Sequence, residues 1–451
     1  MEPEKSSRVK VRSLLSVVSS KPIEPGKTLK LSSLDHALGL HSVHVVFYYE
    51  SNPFDEGPHP SDMDNLRIAL SDLLSEYPKI TGRLTTRGVD GNWEVKCNDA
   101  GMRIVRAEVS TTIDEWLRSA DALEERDLTV WEDMPEDPSI WSPFRIQINN
   151  FNSGGLAIGL SCSHMHADLT SATLLLKSWT EFHRGQPLTY HPIFHLPSTN
   201  GRSSQDTRTE STELYAAKSA VETNPVKLGT VTLRFSDSSI KKCLSRVHSK
   251  CENATPFDLL VALFWSRIAR LKNPTNGVKH SLSFCVDLRK KSVPFGYFGN
   301  ALSFSSLSLN TEELLESHGL GNVSKHVHRH MAGLEDKFWS ALDVFDTRKE
   351  EGTEFAPPFR MYGPELTCIS MEHMINPDGR SMIFDTMFKE GEKPVHVSYH
   401  LGNVEGEGLI LIMPAAEEGL GRVVRVMLPE EQIDLLLKDE VILDLEPTLT
   451  P

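Results

Sequence analysis

The spacing of hydrophobic residues switches repeatedly between two and about 3.6 along the chain, and this alternation constrains the fold more than any other feature. Residues 44–49 form a β-branched and aromatic run that predicts a strand; residues 63–76 carry Leu66, Leu70, Leu73 and Leu74 at helical spacing, up to the stop at Pro78. Leu156, Ile158 and Leu160 then alternate with small residues, and Ala172, Leu175, Leu176, Trp179 and Phe182 recur as one face of a helix. The second half repeats the mixture. Residues 231–235 and 280–287 predict strands and 256–271 a strongly apolar helix; 395–401, 408–413 and 423–428 predict three further strands before a helix over 429–437 that opens at Pro429-Glu430-Glu431. The class that follows is α/β.

With 451 residues the chain exceeds the length at which one hydrophobic core stops growing, so two domains are expected. Residues 198–224 are rich in Ser, Thr, Asn, Arg and Glu with little apolar period, which reads as a surface crossover. The expected division is therefore a first domain over 1–197, a linker over 198–228 and a second domain over 229–451.

A net charge of −15 excludes a nucleic-acid backbone as the main partner, because such binding needs clustered Lys and Arg. The six cysteines, Cys97, Cys162, Cys243, Cys251, Cys285 and Cys368, show no CxxC or zinc-like spacing, and reduced thiols fit them best. The apolar stretch 14–18 is too short for a signal-peptide core, and no apolar run approaches the roughly eighteen residues that a membrane-crossing helix needs. The expectation is a cytoplasmic monomer, associated with the endoplasmic reticulum, if at all, through a partner.

The sharpest local feature is His164-Met165-His166-Ala167-Asp168, where an alternating strand gives way to a helix. A strand end is rigid behind and open in front, which suits a histidine acting as general base on a hydroxyl or amine. By itself the HxxxD spacing is weak: with 18 histidines in the chain, about one such match arises by chance, and a packed structural histidine is the commoner outcome.

Other segments stand around it in order. They are Leu31-Ser32-Ser33-Leu34-Asp35, the strand at 45–49, Tyr77-Pro78 with Gly82-Arg83-Leu84, and Cys97-Asn98 through Gly101 and Ala107. Gly154-Gly155, Trp179, the helix over 255–265, Val286-Asp287-Leu288-Arg289 and Tyr297-Phe298-Gly299-Asn300-Ala301 follow. Over nearly its whole length the chain thereby resembles the plant BAHD acyl-CoA-dependent acyltransferases. The resemblance implies two chloramphenicol-acetyltransferase-like domains with mixed sheets flanked by helices. Between them it implies a solvent channel that admits acyl-CoA as co-substrate from one face and a small-molecule or lipid acceptor from the other. His164 would be the general base in mid-channel, and Asp168 would turn away and pair with Arg289, since a buried carboxylate needs such a partner. No metal is implied.

Three departures stand out. Leu169 replaces the glycine that commonly follows the motif's Asp, removing conformational latitude. The DFGWG signature has only the degenerate counterpart Phe388-Lys389-Glu390-Gly391-Glu392, and the Thr-Ser-Trp element that lends a donor to the oxyanion appears as Ile369-Ser370-Met371. A missing oxyanion donor costs roughly 3 kcal/mol of transition-state stabilisation. With Gly154-Gly155-Leu156 and Met427-Leu428-Pro429-Glu430-Glu431, these departures make the chain most similar to the eceriferum and glossy wax branch of the family. That branch implies a role in very-long-chain fatty acid elongation for cuticular wax. It also implies an alternative, a non-catalytic accessory of the elongase that modulates the chain length made by a ketoacyl-CoA synthase.

The remaining candidates have plainer readings. His326, His328 and His330 alternate without a fixed carboxylate or cysteine partner and read as a solvated face before a metal site. His166 reads as packed, the acidic run 132–137 as a solvated loop, and the apolar stripe 259–265 as core.

Overall fold

The computed structural model describes residues 7–54, 61–87, 92–196, 213–215, 217–218, 226–315, 319–334 and 359–451, so the expected linker over 198–228 lies mostly outside the described residues. The alternation read from the sequence becomes two mixed sheets. The first runs edge to edge as Val9–Val17, Met102–Val109, Phe144–Phe151, Leu156–Ser163, Ser42–Tyr49 and His396–Leu401. Its one parallel pair is Met102–Val109 with Phe144–Phe151. The second runs Leu302–Asn310, Lys279–Asp287, Leu366–Ser370, Leu409–Pro414, Arg422–Pro429, Leu228–Phe235 and Thr448–Thr450, with parallel pairing on both sides of Leu366–Ser370. These are the mixed sheets flanked by helices that the resemblance implies.

Burial explains the strand sequences. Leu156–Ser163 is buried at every position, inside its sheet and covered on both faces, and its positions between the large residues are filled by small ones. The edge strand Val9–Val17 is largely exposed. Its register slips by one residue between Val11 and Ser13, so Val11 pairs with Ala107 and Leu14 with Val105. That bulge puts Val11 and Leu14 on the same face of the sheet although they are three residues apart.

Helices Ser61–Glu76 and Leu169–His183 cover the inner face of the first sheet; Leu66, Leu70, Leu73 and Leu74 are buried, and Trp179 Nε1 donates to Leu66 O at 3.3 Å. In the second half, Pro256–Leu271 starts with Pro at its first turn and a capping box in which Thr255 and Asp258 exchange hydrogen bonds. Its stripe from Leu259 to Trp265 is core.

The strand His396–Leu401 belongs to the second half of the sequence, yet it pairs with Ser42–Tyr49 and closes the first sheet. The two halves are thus interlocked. A buried ion cluster lies where they meet: Glu125 accepts from Tyr48 Oη at 2.7 Å and lies 3.1 Å from Arg425 and 3.0 Å from His400. Against the effect of burial, Arg425 and His400 hold the Glu125 carboxyl well below its ordinary range. All six cysteines are buried and unpaired, and among the described residues no helix is long and apolar enough to cross a membrane.

The histidine-rich helix corrects one reading. On Leu320–Ala332, His328 Nδ1 is 2.8 Å from Asp258 and His330 Nε2 is 2.8 Å from Ser305, so both rings bind the body of the domain where a solvated face was expected. Among the described residues no three metal-ligating side chains converge.

Candidate active site

The strand Leu156–Ser163 stops where the sequence turns polar, and Asp168 caps the next helix by accepting from Ser171 N at 2.8 Å. Between these fixed ends His164 to Ala167 form a tight turn, and His164 N donates to His41 O at 3.0 Å. Leu169 is the first helical residue and is buried, a position that an L residue fills without a left-handed backbone.

Asp168 carries a second load. Its Oδ2 accepts from Arg289 Nη1 at 2.8 Å and from Ala301 N at 3.0 Å. Arg289, itself buried, also donates to Asp287, Ser171 Oγ, Tyr297 O and Gly299 O. Burial alone would lower the guanidinium, but Asp168 and Asp287 hold its pKa above the ordinary value. Against burial, Arg289 and then His373 hold the Asp287 carboxyl below the ordinary range, and Thr170 Oγ1 donates to Asp287 at 2.6 Å. This network joins the HxxxD turn to the loops that follow the strand Lys279–Asp287.

His164 is fully buried, and both of its ring nitrogens are engaged. Asn300 Nδ2 donates to Asp35 Oδ1 at 2.7 Å and to His164 O at 2.8 Å, which turns the amide oxygen toward the imidazole. His164 Nδ1–H therefore donates to Asn300 Oδ1 at 3.0 Å and leaves the lone pair on Nε2. That lone pair accepts from Tyr362 Oη at 2.8 Å. Burial is the largest influence on the ring and lowers its pKa, with Asp168 and Asn300 opposing, so the neutral form is favoured. Burial, with Cys285 beside the hydroxyl, pushes the Tyr362 phenol well above its usual value. His41 packs edge-on against Tyr362 with ring centroids 4.8 Å apart; burial and the neighbouring His164 bring its pKa down to about 4.

The open mid-channel position expected for His164 is thus filled. A cleft of about 750 Å³ does lie between the halves, lined by Arg126, Trp131, Gly229, His400 and Met427 among others, but His164 is not in its wall. The physical reason is Tyr362, whose hydroxyl occupies the Nε2 side of the imidazole.

A match of the family model for the transferase family to residues 7–441 places nearly the whole chain. The chain belongs to the BAHD transferase family. Protein ECERIFERUM 2 of Arabidopsis thaliana is 25% identical over 95% of this chain and 96% of its own length. Shikimate O-hydroxycinnamoyltransferase of Nicotiana tabacum is 23% identical over 92% and 95%. The likeness to the eceriferum proteins places this BAHD protein in their branch. Among solved structures, vinorine synthase superposes with a TM-score of 0.69 at 20% identity, covering 94% of this chain and 96% of its own. TRI101 of F. graminearum, crystallised with coenzyme A and T-2 mycotoxin, gives 0.70 at 14% identity over 92% and 98%. Both establish the fold.

The segments read from the sequence as departures from the family pattern are built into packing. Phe388 is buried in a knot of rings with Tyr49, Phe54, Trp179 and His183, at centroid distances of 5.1 to 5.7 Å. Ser370 is buried, and its Oγ accepts a long 3.4 Å bond from Glu372 N. His166 is packed edge-on against Phe144, and neither ring nitrogen has a partner among the described residues. Sequence reasoning assigned no role to Tyr362, His41, Asn300 or Asp35. Asn300 and Asp35 lay inside segments that marked the family, whereas nothing around Tyr362 signalled its place.

Proposed function

We propose that this protein is an acyl-CoA-dependent acyltransferase of very-long-chain fatty acid elongation for cuticular wax, with His164 as the general base. The observation that carries the reading is the imidazole tautomer: Asn300 holds the proton on Nδ1, so Nε2 presents its lone pair to a hydroxyl 2.8 Å away. In the reaction an acceptor hydroxyl or amine takes that place. Its proton passes to Nε2 as its oxygen or nitrogen attacks the thioester carbonyl; the C–S bond then breaks, and the leaving thiolate recovers the proton. Such a base contributes on the order of 10² to 10⁴ in rate. Asp168 and Arg289 touch no substrate in this scheme and fix the loop that carries His164.

A second reading is favoured by one specific observation, that the hydroxyl on Nε2 belongs to the protein itself. An acceptor must displace Tyr362, and a chain in which it never does would hold acyl groups for a ketoacyl-CoA synthase without transferring them.

Thiol release from very-long-chain acyl-CoAs offered with alcohols and amines, together with lipid profiles after co-expression with condensing enzymes, separates the two. Turnover in the wild type that His164→Ala abolishes supports transfer. Turnover unchanged in His164→Ala overturns the proposed base. Altered product lengths that persist in His164→Ala favour the accessory reading.

A further inference from the structure

We propose that the outer face of the first sheet carries a binding groove for a long acyl chain with an anionic head, as in a fatty acid or a long-chain acyl-CoA. The inference deepens the acyl reading, but it rests on different residues. Val11, Leu14, Val105, Leu123, Ile140 and Trp141 line a cavity of about 900 Å³, at the upper end of the roughly 300–1,000 Å³ usual for ligand pockets. Val11 and Leu14 are each 60% exposed, Leu123 66% and Ile140 75%, so large apolar side chains gather here in water. The bulge in the edge strand is what turns Val11 and Leu14 together onto this face, beside Val105.

Charge selects the occupant. Arg103, Arg126 and Arg145 line the same cavity in a chain whose net charge is −15. Asp127 and Glu132 are the acidic residues of the lining, and Glu132 pairs with Arg145 at 2.7 Å. Arg126 lies over the Trp131 ring at 4.0 Å. Behind the groove, burial and then the neighbouring Arg103 and Arg145 push Arg83 down to about 10, as expected where guanidinium groups crowd without enough counter-charge. The Trp141 ring, 6% exposed, has the Arg145 guanidinium 5.5 Å from its centroid. Apolar walls and excess guanidinium groups together fit a ligand with a long hydrocarbon chain and an anionic, hydrogen-bond-accepting head.

The groove also has a direction. Val130, Glu132, Trp141 and Arg145 are shared with a second cavity of about 360 Å³ that reaches His41 and Ser163. Ser163 is the residue before His164, and the His41 ring lies 6.5 Å from it, centroid to centroid. The lining of the groove thus continues into a cavity whose walls include residues that flank His164.

The test is displacement of a fluorescent polyunsaturated fatty acid from the full-length protein by a free long-chain fatty acid, a long-chain acyl-CoA or coenzyme A alone. Saturable binding that Leu14→Glu, Ile140→Glu or Arg103→Glu weakens tenfold or more supports the groove. Displacement by the free acid, by the acyl-CoA or by both identifies the source of the head and keeps the site. Displacement by coenzyme A alone, an affinity unchanged in all three variants, or no saturable binding overturns it. His164→Ala is expected to bind the probe as the wild type does, so loss of transfer in that variant is distinguishable from loss of the groove.

Discussion

The His164 centre and the outer groove lie at the same end of the first sheet and are built on opposite principles. Around His164 both ring nitrogens have partners, Asp168 accepts three N–H groups, and Arg289 donates to five residues. In the groove, large apolar side chains stand in water beside three guanidinium groups. The first arrangement fixes a geometry; the second leaves surface to be covered. Buried polar groups gain from such completeness because each unmet one costs on the order of 1–3 kcal/mol, whereas exposed side chains carry little folding free energy.

The contrast is most severely tested at Arg289. Arg289→Ala leaves Asp168 and Asp287 as buried carboxylates without their guanidinium partner, and the expected loss is about 3–5 kcal/mol, visible as insolubility or a much lower melting temperature. His164→Ala leaves Asn300 and Tyr362 without their ring partner but strands no charge, so a smaller loss is expected. Equal behaviour of the two variants would break the assignment of Arg289 as the tie of the loop.

Next in size is the pH dependence of the closed centre. Burial lowers the pKa of His41 to about 4 and that of His164 below its ordinary value. These rings stay neutral in the folded chain at a pH where they protonate in the unfolded one. A group whose folded pKa is depressed contributes stability above its unfolded pKa, about 6.5, that is lost as pH falls toward the folded value. Denaturant unfolding should therefore show stability falling between about pH 6.5 and pH 4, on the order of 3 kcal/mol from His41 alone. A flat profile across that window would break the claim.

A smaller effect sharpens the comparison at Tyr362. Tyr362→Phe keeps the ring and removes the donor to Nε2, so a loss of about 1–3 kcal/mol is expected. In return, carbethoxylation of His164 by diethyl pyrocarbonate, read by peptide mass spectrometry, should speed up severalfold. An unchanged rate would mean that Tyr362 does not guard the nitrogen. The smallest effect belongs to the groove: Leu14→Ser and Ile140→Ser should each change stability by less than about 0.5 kcal/mol. A larger loss would show that these side chains belong to the core.

Much of the fold was legible because it is local. The leucines of Ser61–Glu76 face inward as their spacing predicts, and Pro256–Leu271 begins and ends where the sequence placed it. The histidines of Leu320–Ala332 were misread, because the partners of His328 and His330, Asp258 and Ser305, lie 70 and 25 residues away. The return of His396–Leu401 to the first sheet was equally invisible, since a strand's pattern reports that it is half or fully buried and says nothing about its neighbour.

By itself the sequence determined the α/β class, the family and the position of the HxxxD turn, because periodicity, caps and ordered motifs are properties of neighbouring residues. Only the tertiary structure decided what state that turn is in. Asn300 and Tyr362 stand 136 and 198 residues from His164 along the chain. Packing of one half against the other brings both onto the imidazole, sets its tautomer and closes its free nitrogen.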